Sequence, residues 1–102
     1  MPFRLRDRVK QLTATTGTGT VTFSSSFDSF QDFSGVLSDG DATYYVISNS
    51  NQFEIGQGTY SGNTLSRDVV FRSSSGVSNI SIGTESEVFI TYPSERSVHI
   101  DN

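Results

Sequence analysis

Apolar residues recur at every second position through most of this chain and rarely at the three- and four-residue spacing of a helix face, so the pattern predicts an all-β fold. The run from Thr13 to Phe23 is rich in β-branched residues around Gly17 and Gly19, which predicts two short strands flanking that glycine pair. A polar loop over Ser24–Ser29 comes next. Phe30, Phe33, Val36 and Leu37 then lead into Asp39-Gly40-Asp41, a turn in which Gly40 supplies positive φ. The clearest hairpin joins Tyr44-Tyr45-Val46-Ile47-Ser48 through Asn49-Ser50-Asn51 to Gln52-Phe53-Glu54-Ile55. Its alternation points Phe53 and Ile55 toward the core and sends Tyr44 and Tyr45 to opposite sides.

Gly56 to Tyr60 continues that strand with a kink at its glycines and ends in a turn at Ser61-Gly62-Asn63. Leu65, Val69 and Phe71 share a parity with Arg67, which predicts a mostly buried face with one cation near its middle. Ser73-Ser74-Ser75-Gly76 turns again. Ile80 and Ile82 share one inward face and Val88, Ile90 and Tyr92 another, before Pro93 stops pairing; Val98 and Ile100 could add an edge strand. The expected architecture is a small antiparallel β-sandwich or barrel of about seven short strands: a single β domain over residues 13–102 behind a basic arm over residues 1–12. In the arm, Leu5, Val9 and Leu12 could line a short helix, and an extended arm reads equally well. Phe53→Ala or Val69→Ala is expected to cost roughly 2–5 kcal/mol if both side chains face the core.

Composition narrows the chemistry. The 102 residues suit one core, and only 33% are apolar, so eight Phe and four Tyr must supply much of the buried area. There is no Cys and one His, while 18 Ser and 11 Thr make the chain rich in hydroxyls. Disulfides, thiolate metal sites and a Cys nucleophile are excluded. Charge is divided: residues 1–10 hold Arg4, Arg6, Arg8 and Lys10 against Asp7, net +3, and the rest of the chain is net −7, for a total of −4. Four cations without an aromatic or glycine-rich context point to a protein surface rather than nucleic acid, which the acidic body would repel. No apolar run reaches the length of a signal core or membrane span, so neither a membrane nor a secretory route is expected.

The candidates for catalysis and metal binding all read better as structure. His99 lies near the C-terminus without a second His or Cys. No Gly-x-Ser-x-Gly elbow is present to support a Ser–His–acid triad. Asp39-Gly40-Asp41 lacks the ligand spacing of a calcium loop. Asp28 with Asp32, and Glu85 with Glu87, are spaced as solvated acids rather than as a glycosidase pair, which needs a cleft. Gly17-Thr18-Gly19 and Gly56-Gln57-Gly58 precede no helix and so read as strand glycines rather than phosphate loops. Asn79-Ile80-Ser81 fits a glycosylation triplet, a pattern common by chance. Tyr44, Tyr45, Phe53 and Tyr60 could form a sugar platform only if exposed together, which their parity opposes. No catalytic residue, cofactor or metal is therefore expected.

Six segments in order resemble a module of tailed-bacteriophage structural proteins: Asp7-Arg8-Val9-Lys10; Thr15-Thr16-Gly17-Thr18-Gly19-Thr20; Leu37-Ser38-Asp39-Gly40-Asp41-Ala42-Thr43-Tyr44-Tyr45; Phe53-Glu54-Ile55-Gly56-Gln57-Gly58-Thr59-Tyr60; Thr64-Leu65-Ser66-Arg67; and Val88-Phe89-Ile90-Thr91-Tyr92-Pro93. Together they span most of the chain. Phe53 departs from the Trp common before the Glu in relatives, and residues 73–83 are least like the family. The resemblance implies a virion structural protein, either free-standing or the N-terminal part of a fibre-like protein, with residues 94–102 where a fibre would continue. It carries no catalytic residue. The implied role is anchoring a tail fibre or appendage through other virion proteins of the tail, neck or capsid, as a homo-oligomer and, for fibre-like proteins, a trimer. The partner-binding residues expected are Arg4, Arg6, Arg8 and Lys10, and deleting residues 1–10 is expected to leave the sheet folded while weakening assembly. Capsid decoration is the first alternative and a carbohydrate-binding module for host glycan the second.

Overall fold

The structure is a computed structural model that describes residues 8–49, 51–74, 76, 80–82 and 86–91. In chain order its elements are β1 (Lys10–Thr13), β2 (Val21–Ser26), the single-turn helix α1 (Phe33–Val36), β3 (Ala42–Ser48), β4 (Phe53–Ser61), β5 (Thr64–Leu65), β6 (Val69–Ser73) and β7 (Ser86–Ile90). Every strand pairing is antiparallel. The expected all-β fold is present, and of its two expected forms it takes the barrel. β1 pairs with β2, β2 with β5, β5 with β4, β4 with β3, β3 with β7 and β7 with β1, so six strands close a ring. Closure comes from the pairing of β3 with β4 and leaves the ring without a free edge.

The nine-residue β4 makes closure possible. One edge follows β3 from Phe53 to Thr59, while the other holds β6 along Glu54–Gln57 and β5 at Tyr60–Ser61. β6 therefore branches off the ring against the first half of β4. The glycine pair at Gly17 and Gly19 does separate two strands, β1 and β2, and β1 resolves the open reading of the chain start as extended for Lys10–Thr13. β2 continues to Ser26, into the segment expected to be a loop.

The core cluster includes Val21, Phe23, Phe33, Tyr45, Ile47, Tyr60, Leu65 and Val88, joined by Ile80 and Ile82. Phe23 and Phe33 stack with ring centroids 4.3 Å apart. That contact seats α1, an element the strand pattern did not announce, and the Phe33 amide donates to Gln11 Oε1 at 2.8 Å. The Asp39-Gly40-Asp41 turn forms as expected, with Gly40 at φ 94°. Its acids are used locally: Asp41 Oδ2 accepts from the Ser38 amide and Asp39 Oδ1 from the Gly62 amide.

Three expectations are corrected. Along β4 the inward side chains are those of Glu54 and Tyr60, with Gly56 and Gly58 between them, so Phe53 and Ile55 face out and Phe53 is 38% exposed. The reason is volume: Tyr45 lies opposite Gly56 and is fully buried, filling the space that glycine leaves. Residues 66–68 leave strand geometry between β5 and β6, so the parity that joins Leu65 and Arg67 is not carried into β6, and Val69, opposite the outward Gln57, is 46% exposed. Phe53→Ala and Val69→Ala are therefore each expected to cost less than about 1 kcal/mol in urea unfolding, as exposed substitutions do. Third, Val9 is 2% exposed in the core, so deleting residues 1–10 removes a core side chain and the start of β1 and is expected to destabilise the barrel. Leu5, Tyr92, Pro93, Val98 and Ile100 lie outside the described residues.

Candidate partner interface

Of the four cations expected to bind a partner, Arg8 and Lys10 are described and Arg4 and Arg6 lie outside the described residues. Arg8 adopts φ 58°, and its carbonyl accepts from the Gln31 amide at 2.5 Å, while the Lys10 amide donates to the Gln31 carbonyl. These bonds tie the base of the arm to the loop that follows β2. The Arg8 guanidinium donates through Nε and Nη2 to the Ser29 carbonyl and lies 4.2 Å above the Phe30 ring. Lys10 Nζ sits 4.9 Å from the Phe27 ring centre and 4.6 Å from that of Phe30, and 3.5 Å from Glu87 Oε1. Arg8, Val9, Lys10, Phe30, Phe89 and Ile90 line an open depression of about 320 Å³. The structure thus brings two of the four residues into one cationic, aromatic surface.

That surface continues around the barrel. Strand register aligns Lys10 with Phe89, Phe89 with Val46, Val46 with Ile55 and Ile55 with Arg72, one outward row across β1, β7, β3, β4 and β6. Phe89, Val46 and Ile55 are half-buried and Arg72 is exposed. Beside the row, Tyr44 meets Phe71 edge to face at 5.7 Å, and Phe53 and Val69 are the exposed large apolar side chains among the described residues. The row is apolar in its middle and cationic at both ends. Glu87, in the adjoining row, is the acid this register turns outward, and it faces Lys10.

The polar chemistry of the interior is structural. Arg67 and Glu54 form a bidentate pair, Nη2 to Oε1 at 2.6 Å and Nε to Oε2 at 3.0 Å, with side chains 1% and 0% exposed. The remaining guanidinium hydrogens reach the carbonyls of Gly17, Gly19 and Ile80. Glu54 also accepts from the Tyr45 hydroxyl at 2.5 Å and the Ile80 amide at 2.9 Å. The cluster ties β3, β4, the loop after β1 and the segment before β7 to one point. Every buried side-chain nitrogen and oxygen among the described residues has a partner. Burial alone would raise the Glu54 carboxyl, but Arg67, the Tyr45 hydroxyl and the Ile80 amide hold it below its ordinary range. Burial, reinforced by Glu54, pushes the Tyr45 hydroxyl up.

Because the folded-state pKa of Glu54 lies below its unfolded value of about 4.5, this stabilisation is full above that value and is lost as pH falls through the folded pKa. The melting temperature is thus expected to drop on acidification below about pH 4.5, and Glu54→Gln to flatten that dependence. A thermal melt series from pH 7 to pH 2 checks both.

Arg67 was legible in the sequence as a cation within a buried face; Glu54 was not. A buried guanidinium requires a buried carboxylate, and Glu54, flanked by apolar residues within a strand, was the available one. The remaining candidates stay dispersed. Tyr45 and Tyr60 are internal while Tyr44 and Phe53 face out, so no four-ring platform exists. Among the described residues no group of three or more His, Asp or Glu is placed to hold a metal ion, and no helix is long and apolar enough to cross a membrane. His99, Asn79 and Glu85 lie outside the described residues. Comparison with protein-family models, with curated proteins and with solved structures finds no match to this chain.

Proposed function

We propose that this chain is a non-enzymatic structural protein of a tailed-bacteriophage particle, a module that anchors a tail fibre or appendage by assembling with other virion proteins and with copies of itself. The phage assignment rests on the six ordered segments that resemble the virion module. The observation that carries the assembly role is the division of labour in the sheet that those segments build. Glu54, Tyr60, Leu65 and Arg67 turn inward to build the barrel, with Gly56 and Gly58 between them, while Val46, Ile55 and Phe89 of the same sheet face out beside Lys10 and Arg72. A motif that makes a scaffold, with an apolar and cationic exterior, suits a part whose work is to be held by neighbours.

Mass spectrometry and antibody labelling of purified particles of the encoding phage test this reading. The expected result is the chain present in a few copies, with label on the tail. Its absence from particles would overturn the proposal, and hundreds of copies over the capsid would move the role to decoration.

A further inference from the structure

We infer that the outward face of β7, β3 and β4 seats an extended segment of a partner protein that is apolar at its centre and carries carboxylates on both flanks. The inference rests on the assembly reading in one respect, that the partner is a protein. At one end of the face the 320 Å³ depression has Phe30, Phe89 and Ile90 as apolar lining and Arg8 and Lys10 as cations beside them, a place for one large apolar side chain with an acid next to it. From there Phe89, Val46 and Ile55 continue the apolar row to Arg72. Four strand intervals of about 4.8 Å separate Lys10 from Arg72, roughly 19 Å at the backbone and longer on the outside of the curved wall, so an extended segment needs more than about six residues to reach both ends.

Charge selects the occupant. The chain as a whole is −4, yet this row begins and ends on cations, so an acidic partner is drawn to the row and repelled elsewhere. Covering the apolar middle removes it from water, and the pairs at the two ends fix register. A second copy docked face to face about a two-fold axis, with its row antiparallel, would instead set Lys10 of one molecule against Arg72 of the other, cation on cation. Asp28, in the loop beside the depression, and Glu87, paired with Lys10, disfavour an acid placed directly over them, so at this end an incoming carboxylate meets Arg8 and displaces Glu87 to reach Lys10.

Selection from a displayed library of random dodecapeptides on the immobilised full chain tests this inference. The peptides recovered are expected to share an apolar core bracketed by Asp or Glu. Their affinity is expected to fall about tenfold or more for Arg72→Glu, and further for Lys10→Glu with Arg72→Glu, with the same direction of change on raising salt. The melting temperature of each variant is measured beside its affinity, and Arg72→Glu, a change at an exposed position, is read alone if Lys10→Glu fails to fold. An empty selection, peptides without acidic flanks, or equal binding to Arg72→Glu would overturn the inference. So would sedimentation showing that the free chain pairs with itself through this face and that Arg72→Glu separates it. Acidic apolar peptides selected by a chain that no phage particle contains would defeat the virion reading alone.

Discussion

Arg67→Ala is expected to cost about 3–5 kcal/mol, enough to leave a 102-residue barrel largely unfolded at room temperature, because it strands the Glu54 carboxylate in a dry interior. Glu54→Ala should do comparable damage from the other side. The more informative experiment is the pair Glu54→Leu with Arg67→Met. Replacing both members of a buried ion pair by apolar side chains is often neutral. Here it would still leave the Ile80 carbonyl and amide and the Tyr45 hydroxyl without partners. The double variant is expected to recover part of the single-variant loss and remain about 2 kcal/mol or more below wild type, since buried unpaired polar groups are costly. Urea unfolding of the four proteins in the cycle measures this. A double variant as stable as wild type would mean that the cluster does not tie its strands together.

Gly58→Ala is the second large effect. A Cβ at this position would run into the Ser66 carbonyl oxygen, a backbone atom of the β5–β6 connection that cannot yield as a side-chain end can. At Gly56 it would meet the Val69 carbonyl oxygen and the Tyr45 hydroxyl, itself fixed on Glu54. Overpacking of this kind costs about 1–3 kcal/mol and more where backbone must move, so both variants are expected to fall in or above that range. Gly35→Ala is the control: its Cβ meets nothing within 4 Å, and stability should stay within about 0.5 kcal/mol of wild type. Thermal unfolding of the three variants separates close approach from a general intolerance of alanine.

These two sites also mark where the sequence stops being legible. Period-two alternation located the strands, and the turns at Gly40, Gly62 and Gly76 fall where their residues require positive φ. Alternation states that two faces exist without saying which is inside. In β4 the apolar side chains Phe53 and Ile55 face out, while the inward row is a carboxylate, two glycines and a tyrosine, so a rule that sends apolar residues inward inverts the strand. The information that decides it lies on other strands: Tyr45 needs the space at Gly56, and Arg67 needs a carboxylate. The break over residues 66–68 that turns Val69 outward and the single turn of α1 are likewise tertiary, the first set by β6 leaving the ring at β4 and the second by Phe33 stacking on Phe23. The proposed interface was half legible. Arg8 and Lys10 stood out as a charge cluster, but Arg72, far away in sequence, joins them only through the closure of β7 onto β1 and β3.

The chain contains no cysteine, so the central claim, that the barrel is held in a particle by its cation-bracketed apolar wall, can be read with single introduced thiols. Phe53→Cys and Arg72→Cys place exposed thiols on or beside that wall, and Ser34→Cys places one on the exposed side of α1. Maleimide labelling of the free chain and of the same chain incorporated in particles should show all three open in the free protein. In particles, 53 and 72 should be shielded while 34 still reacts. Equal labelling of all three in particles, or protection at 34 with 53 and 72 left open, would contradict the account.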